Sequence, residues 1–125
     1  MTSRKPTTEV GAGAERAAVD YLRRAGMRVL ERNYRCKLGE IDVVAQHGPT
    51  LVFIEVRSVG ARASHRPAET IDHAKRRRII RAAQWFVKQH RMLNVPCRFD
   101  VVEVYLDENQ EPARVVHTPH AFMTN

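Results

Sequence analysis

The chain has 125 residues, of which 43% are hydrophobic and 28% charged, so its length and composition suit one globular domain. Its net charge of +7 favours a polyanionic partner, with nucleic acid the first candidate and an anionic membrane surface the second. No apolar run in the sequence is long enough to cross a bilayer, and the polar N-terminus lacks the pattern of a secretory signal. We therefore expect a cytoplasmic protein with free thiols at Cys36 and Cys97.

The N-terminal part predicts a flexible tail over residues 1–9 and then a helix from about Val10 to Ala25. The apolar stripe of this helix consists of Ala14, Ala18, Val19 and Leu22. Glu15 falls on the same face, which is unusual for a carboxylate. Taken alone, its position is explained by a partly exposed helix flank or by the favourable charge of an acid near the start of a helix.

Three β-strands are predicted after this helix. Residues 27–35 form the first strand. Residues 39–45 and 51–57 are both rich in β-branched side chains and form the two arms of a hairpin around a turn at residues 46–49, which contains a Gly-Pro pair. The hairpin is the part of the sequence in which acidic residues interrupt an otherwise apolar pattern.

Side-chain alternation along a strand predicts where these charges lie. Glu40 and Asp42 share one face of the first arm. The opposite face consists of Ile41, Val43 and Ala45. Glu55 and Arg57 share one face of the second arm. Acidic residues are poor strand formers and costly to bury without a partner, so something must compensate for them.

Two explanations for the charged hairpin remain open. The sheet could be half exposed and carry cross-strand ion pairs, with Arg57 neutralising Glu55 or Asp42. Alternatively, the carboxylates could form a metal site. Carboxylates that converge from neighbouring strands are the hard oxygen ligands that Mg²⁺ prefers, and this ion is usually held by one or two of them together with substrate phosphate.

A basic segment follows the hairpin. Residues 58–69 predict a loop that contains Arg62 and Arg66, and a second helix is expected to start at about residues 70–72 and to end near Arg91. The first half of this helix carries dense positive charge, at Lys75, Arg76, Arg77, Arg78 and Arg81. A charge run is often a solvated face, but beside a basic loop it also suits contacts with phosphate.

The C-terminal part predicts a strand at residues 97–106, a turn at residues 107–112 and a short last strand at residues 114–117. We expect residues 10–118 to form a single domain and residues 119–125 to form a C-terminal tail. The order α-β-β-β-α-β predicts an α/β fold in which helices pack against a mixed sheet.

An acidic residue at 42 and the triplet Glu55-Val56-Arg57 on the next strand resemble the PD-(D/E)XK nuclease superfamily, in which an Asp precedes an acidic-X-Lys triplet on its hairpin partner. A longer series of segments over about residues 10–105 resembles the YraN family of small bacterial proteins, described as predicted endonucleases related to archaeal Holliday-junction resolvases. These segments are Gly13-Ala14-Glu15, Asn33-Tyr34-Arg35, Gly39-Glu40-Ile41-Asp42, Val52-Phe53-Ile54-Glu55-Val56-Arg57, Lys75-Arg76-Arg77-Arg78 and Arg98-Phe99-Asp100-Val101-Val102.

The resemblance implies a restriction-endonuclease-like αβββαβ core that acts on DNA, in a branched form for a resolvase-like protein, and works as a homodimer by analogy with resolvases. It makes Asp42, Glu55 and Glu15 the ligands of Mg²⁺ or Mn²⁺, and it adds Arg57 to the catalytic set. Glu40 would be a neighbouring acid. A further matching acid, Asp100, is expected to have a structural role, as a cap or as the partner of an arginine.

One position departs from the superfamily pattern, because the triplet ends in Arg57 where a lysine is usual. Arginine stays charged and can position groups or stabilise negative charge, whereas lysine can also help to activate water. Either Arg57 supplies the electrostatic part, or Lys75 reaches in from the second helix, or hydrolysis is impaired. The hypotheses are therefore a metal-dependent nuclease, a nucleic-acid-binding module without turnover, and a basic scaffold for a protein or RNA.

Overall fold

The computed structural model describes residues 7–61 and 72–122, so Arg62 and Arg66 of the predicted basic loop lie outside the described residues. Within these ranges the chain forms two helices and five strands. In chain order they are α1 (Thr7–Arg24), β1 (Arg28–Cys36), β2 (Gly39–His47), β3 (Thr50–Val59), α2 (His73–Gln89), β4 (Cys97–Leu106) and β5 (Pro112–Phe122).

The five strands form one mixed sheet in the order β1-β2-β3-β4-β5. The β1–β2, β2–β3 and β4–β5 pairs are antiparallel, whereas β3 and β4 run parallel. Parallel neighbours need a long crossover, and the segment that contains α2 provides it. The predicted α/β fold is confirmed, and the αβββαβ order with an added edge strand is consistent with a restriction-endonuclease-like core.

Helix α1 covers one face of the sheet with the predicted apolar stripe. Ala14, Ala18, Val19 and Leu22 are all buried. They share a core with strand residues that include Val43, Ala45, Val52, Ile54, Val102 and Val104. The helix begins at Thr7, three residues before the predicted start, and Glu9 complements the helix dipole in its first turn. The prediction placed these residues in the tail because their polar side chains belong to no apolar stripe.

Helix α2 covers the other face, where Phe86 packs edge-on against Tyr34 and Phe53. Asp72 caps its N-terminus, because the carboxylate accepts a hydrogen bond from the backbone N–H of Lys75 at 2.8 Å. The helix ends at Gln89, two residues before the predicted end. No helix in the described part of the chain is long and apolar enough to cross a membrane.

Gly39, at the start of β2, lets α2 approach the sheet closely. A Cβ atom on this residue would lie 2.8 Å from the backbone carbonyl oxygen of Arg78. Real Cβ atoms essentially never approach another atom so closely, so any larger residue at this position would push the helix away from the strand. The contact fixes the first half of α2 beside β2.

Strand β5 is longer than the sequence predicts, since it runs from Pro112 to Phe122 rather than from 114 to 117. The prediction stopped short because Pro119 cannot donate a ladder hydrogen bond. β5 is an edge strand, where proline is tolerated, and its pairing with β4 is irregular between Phe99 and Val101. Residues 119–122 of the predicted tail therefore belong to the sheet. Cys36 and Cys97 are both free, as expected.

Candidate active site

The acidic hairpin opens into a fork at Asp42. The β2–β3 ladder ends at the pair Val43–Ile54. Beyond that point the backbone N–H of Val56 donates to the Asp42 carboxylate, with 2.8 Å between N and Oδ2. The side chain of Asp42 thus takes the place of a strand partner, and the two strands separate there.

Strand β2 changes its side-chain alternation at the same point. The sequence predicted that Ile41 shares a face with Val43 and Ala45, and this is wrong. Ile41 belongs to the core beneath α2, whereas Val43 and Ala45 belong to the core beneath α1. Perfect alternation fails because β2 no longer pairs with β3 at Asp42, so the backbone is free to depart from the regular pleat.

This irregular step gives Asp42 access to both sides of the fork. A cavity of about 210 Å³ lies on the α1 side and is lined by Gly11, Ala14, Glu15, Asp42, Val56 and Ser58. A cavity of about 250 Å³ lies on the α2 side and is lined by Glu40, Asp42, Glu55, Val56 and Lys75. Asp42 and Val56 belong to both linings, so the two cavities meet at the fork.

Asp42 and Glu55 form a close carboxyl pair. Burial raises the pKa of Asp42, the negative charge of Glu55 and a hydrogen bond between the two carboxyl groups raise it further, and the Val56 N–H opposes this only in part. The resulting pKa is about 7. Because two neighbouring carboxylates repel each other, the raised pKa means that the folded protein resists ionisation of Asp42 beside Glu55.

Lys75 reaches into the pair from α2. Its ammonium group forms an ion pair with Glu55 Oε2, and Glu55 is only 7% exposed. The Lys75 side chain is itself 45% exposed, so its charge faces both the carboxylates and the solvent. Lys75 therefore has the position that one of the three possibilities for the missing motif lysine requires, at the acidic pair and on the second helix.

Arg57 lies two residues after Glu55 and pairs in register with Glu103 of the parallel strand β4. In the described part of the chain it is not among the residues that line either cavity at the fork. Lys75, by contrast, lines the α2-side cavity and forms an ion pair with Glu55.

Glu15 shares the α1-side cavity with Asp42, but its carboxylate is already engaged. Its Oε1 accepts hydrogen bonds from Arg32 Nε at 2.9 Å and from Asn33 Nδ2 at 3.2 Å. Asn33 has a positive φ of 55°, a conformation that asparagine tolerates better than most residues. Among residues 7–61 and 72–122, no three His, Cys, Asp or Glu side chains are grouped to hold a metal ion together. Of the three predicted metal ligands, Asp42 and Glu55 are the two whose carboxyl groups lie together in this structure.

The pair itself suits a hard divalent ion. Mg²⁺ is commonly held by only one or two carboxylates, with water and substrate phosphate as its other ligands. Two carboxyl groups that repel each other until they share a proton gain from a cation placed between them. Asp42 and Glu55 therefore fit the metal that the resemblance implies, with Glu40 and Glu15 lining the adjoining cavities.

The predicted phosphate contacts on α2 lie in the first half of the helix, and of these Lys75 lines the α2-side cavity. Arg77, Arg78 and Arg81 are exposed, whereas Lys75 and Arg76 are half-buried. The Arg76 guanidinium lies 5.8 Å from the centroid of the Phe122 ring. The sequence predicted surface charge correctly for the three exposed arginines, and it offered an inward-reaching Lys75 only as one of three alternatives.

A second buried acid, Asp100, lies on β4 and has fixed partners. Arg98 Nε approaches both of its carboxylate oxygens, at 3.0 and 3.2 Å, and His117 Nε2 lies 2.7 Å from Oδ2. The backbone N–H of His120 donates to Oδ1 at 3.1 Å. His117 Nδ1 in turn lies 3.1 Å from the Tyr21 hydroxyl of α1.

The predicted arginine partner of Asp100 is therefore present. Burial acts to raise the pKa of Asp100, but the hydrogen bonds from His117, Arg98 and the His120 backbone outweigh it, so the pKa is lowered. The sequence gave no signal for His117, because the contact depends on how β5 is aligned with β4. We call Tyr21, Arg98, Asp100 and His117 the Asp100 network.

Comparison with known proteins identifies close relatives over nearly the whole chain. The profile of the family described as "Uncharacterised protein family UPF0102" matches residues 14–104. A UPF0102 protein of Pseudomonas aeruginosa is 42% identical over 123 residues, which cover 98% of each chain. One of Caldicellulosiruptor saccharolyticus is 40% identical over 114 residues, covering 91% of this chain and 97% of the relative. One of Moorella thermoacetica is 44% identical over 112 residues, covering 90% and 93%.

Proposed function

We propose that this chain, which belongs to the uncharacterised protein family UPF0102, is a metal-dependent nuclease that hydrolyses phosphodiester bonds in DNA. UPF0102 is the YraN family, so the family recognised from the sequence is confirmed, while the family description itself names no activity. The observation that carries the proposal is the Asp42–Glu55 carboxyl pair at the fork of β2 and β3, with the Lys75 ammonium against it.

Asp42 and Glu55 are the proposed ligands of Mg²⁺ or Mn²⁺. When bound, such an ion polarises a phosphodiester and lowers the pKa of water. Asp42 is held in place by the Val56 N–H, and Glu55 is held by its ion pair with Lys75. Glu15, fixed by Arg32 and Asn33, lines the adjoining cavity and would orient solvent there.

Lys75 takes the role that the superfamily gives to the lysine of its strand triplet. Its ammonium group lies in the same cavity as both carboxylates and can stabilise negative charge that develops on a phosphate. Glu55 positions it for this. Arg57, two residues after Glu55, contributes a permanent positive charge near the site, but it cannot accept a proton from water.

The DNA strand is expected to reach the site along the start of α2. A helix N-terminus favours anions, and here it is followed by Arg76, Arg77, Arg78 and Arg81. Arg62 and Arg66 are proposed as further phosphate contacts. Branched DNA as the substrate and a homodimer as the working form are proposals that rest on the resolvase resemblance. We place the activity in the cytoplasm, where DNA and free Mg²⁺ are both available.

A second candidate function is a DNA-binding module that keeps the nuclease fold without turnover. Two observations favour it: Arg57 stands where the motif has lysine, and Glu15 is tied to Arg32 instead of meeting the carboxyl pair. This candidate shares the basic surface of α2 with the nuclease and differs from it only at the fork.

The deciding experiment measures cleavage of labelled four-way junction, duplex and single-stranded DNA in Mg²⁺ or Mn²⁺. We expect the wild type to cleave at least one of these substrates and Asp42→Ala to be inactive. Lys75→Gln should reduce the rate by on the order of a hundredfold, because one electrostatic contact to the transition state is lost. The matched control is Arg24→Gln, which removes one exposed positive charge from the far end of α1 and should leave the rate unchanged.

The variants separate the two candidates. Cleavage that survives Asp42→Ala belongs to a contaminating nuclease. If the wild type binds DNA but no substrate is cut, and Arg57→Lys is equally inert, the nuclease proposal fails and the binding module replaces it. If Lys75→Gln cleaves at the wild-type rate while Arg57→Ala is inactive, the assignment of the cation to Lys75 is wrong.

A further inference from the structure

Helix α2 has an outer face that begins at the arginines proposed above as phosphate contacts and continues beyond them to Trp85 and Lys88. At 100° per residue, Arg77, Arg78, Arg81, Trp85 and Lys88 fall within a sector of about 100° around the helix axis. All five are exposed. The opposite side of the helix is the buried one, with Ile79, Ala82, Ala83 and Phe86. The five residues, which we call the outer face of α2, therefore point away from the core.

The charge of this face is uncompensated by its own helix. The seventeen residues of α2 include six lysines and arginines and no aspartate or glutamate. Several of the cations lie in the first two turns, where the positive end of the helix dipole makes them unfavourable. Among residues 7–61 and 72–122, Asp72 and Glu55 offset this at the first turn, through the cap and the ion pair with Lys75. Charge complementarity thus calls for a polyanion along the face.

Trp85 lies in the middle of these cations and is 46% exposed. A single exposed apolar side chain is ordinary on a protein surface, and Leu93 is even more exposed, at 74%. Leu93 lies after the end of α2 and is not part of its outer face. The aromatic ring lies between Arg81 at i−4 and Lys88 at i+3 on the helix surface. A stacking surface flanked by positive charges is the arrangement with which proteins bind single-stranded nucleic acids.

We propose that the outer face of α2 binds a single-stranded segment of DNA, with Trp85 stacking on an unpaired base and Arg77, Arg78, Arg81 and Lys88 contacting the flanking phosphates. The inference rests on the proposed nuclease function and deepens it, because it assigns the substrate class. Trp85 lies ten residues beyond Lys75, about 15 Å along the helix. The unpaired base would therefore lie beside the cleavage site rather than in it.

The protein carries its own reporter, since Trp85 is the only tryptophan in the sequence. The experiment titrates the wild type with oligothymidylate of about 12 nucleotides, in EDTA to prevent cleavage, and follows tryptophan fluorescence. We expect saturable quenching. A backbone of the same length without bases, and a blunt duplex, should quench little at equal occupancy, because neither offers a base face to the ring.

Affinities of the variants are measured by anisotropy of labelled DNA. Trp85→Ala should weaken oligothymidylate binding by about 5- to 150-fold, the range expected for loss of one stacked base. It should weaken binding of the abasic backbone by less than about twofold. Trp85→Phe should recover most of the loss. Leu93→Ala, the matched exposed apolar residue outside the face, should change neither affinity.

Three outcomes would overturn the inference. The first is equal quenching by abasic and base-containing strands, and the second is unchanged oligothymidylate affinity in Trp85→Ala. The third is quenching that depends on protein concentration without DNA, which would assign the face to a second copy of this chain. None of them touches the cleavage assay, in which Asp42→Ala is the discriminating variant. A failure of stacking is therefore distinguishable from a failure of the nuclease proposal.

Discussion

Two acids on this sheet, the half-buried Asp42 and the fully buried Asp100, are in opposite electrostatic states. Asp100 lies beside Ile54 in the β3–β4 register, one residue from Glu55, so the two sites are close neighbours in the fold. Burial pushes the pKa of both carboxyl groups upward. Asp100 ends with a lowered pKa because Arg98 and His117 favour its charge, whereas Asp42 ends near 7 because its main neighbour is another acid.

The difference shows that burial of an acid says little about its role until its partners are counted. Asp100 has donors from β4, β5 and, through His117, from α1, so its charge is fully used in holding elements together. Asp42 has one backbone donor and a like charge beside it. Repulsion within a carboxyl pair that has too little counter-charge lowers the stability of the metal-free protein, and a bound cation relieves that repulsion.

The largest effect on stability is expected from a substitution in the Asp100 network. Asp100→Asn keeps the shape of the side chain but leaves the Arg98 charge buried without its partner. We expect the free energy of unfolding to fall by roughly 3–5 kcal/mol, the usual result of removing one member of a buried ion pair. Urea denaturation followed by circular dichroism measures it.

Glu40→Gln is the comparison variant, because its exposed carboxylate makes only a long contact of 3.6 Å with Arg35. It should shift the free energy of unfolding by no more than about 0.5 kcal/mol. If Asp100→Asn costs as little as Glu40→Gln, the network does not stabilise the fold and the contrast between the two acids disappears.

The second prediction concerns pH. The folded-state pKa of Asp42, about 7, lies above its ordinary value of 3.8, so the folded protein binds more protons than the unfolded chain between these values. Stability from this group is complete below about pH 4 and is lost as the pH rises through 7. Asp42→Asn should remove that loss and stabilise the metal-free protein at pH 8, by about 1–3 kcal/mol.

The measurement is the melting temperature of both proteins from pH 5 to 8 in EDTA, and then with millimolar Mg²⁺. Added Mg²⁺ should raise the melting temperature of the wild type at pH 8 and should raise that of Asp42→Asn much less. Parallel curves for the two proteins in EDTA would show that Asp42 does not carry the excess proton.

The smallest expected effect lies at the edge of the Asp100 network. Tyr21→Phe removes the hydroxyl that lies against His117 Nδ1 and keeps the edge-on ring contact, whose centroids are 5.4 Å apart. We expect a loss of about 0.5–1.5 kcal/mol in the free energy of unfolding, the net worth of one hydrogen bond. Denaturation of the double variant Tyr21→Phe/Asp100→Asn tests the coupling. If the two losses simply add, the two residues are not members of one network.

The parts of this fold that could be predicted from sequence are those governed by local periodicity. Apolar spacing gave both helices and strand β4, and the Gly-Pro turn gave the hairpin. The end of β5 could not be predicted, because tolerance of Pro119 depends on its strand lying at the sheet edge. The face of Ile41 could not be predicted either, since the departure from alternation follows from the end of the β2–β3 pairing.

The candidate site was predictable in its strand residues and not in the contacts made from other elements. The motif gave Asp42 and Glu55, which the structure brings together. Glu15 was predicted to join them, yet Arg32 and Asn33 of β1 hold its carboxylate, and no spacing rule relates residues on a helix and a later strand. Lys75 was one of three alternatives, and its ion pair with Glu55 depends on the packing of α2 against the sheet at Gly39, which no local pattern in the sequence reports.

The contact between Tyr21 and His117 also bears on the order in which the chain assembles. It joins residues that are 96 positions apart, whereas Asp42 and Val56 are separated by 14. Closing a long loop costs more chain entropy than closing a short one, so we expect the hairpin with its acidic fork to form early and the Asp100 network to close last. Substitutions in the network would then accelerate unfolding and hardly slow folding, a partition that stopped-flow kinetics can contradict. The Asp100 network would then be the last part of the fold to form, after the hairpin that carries Asp42.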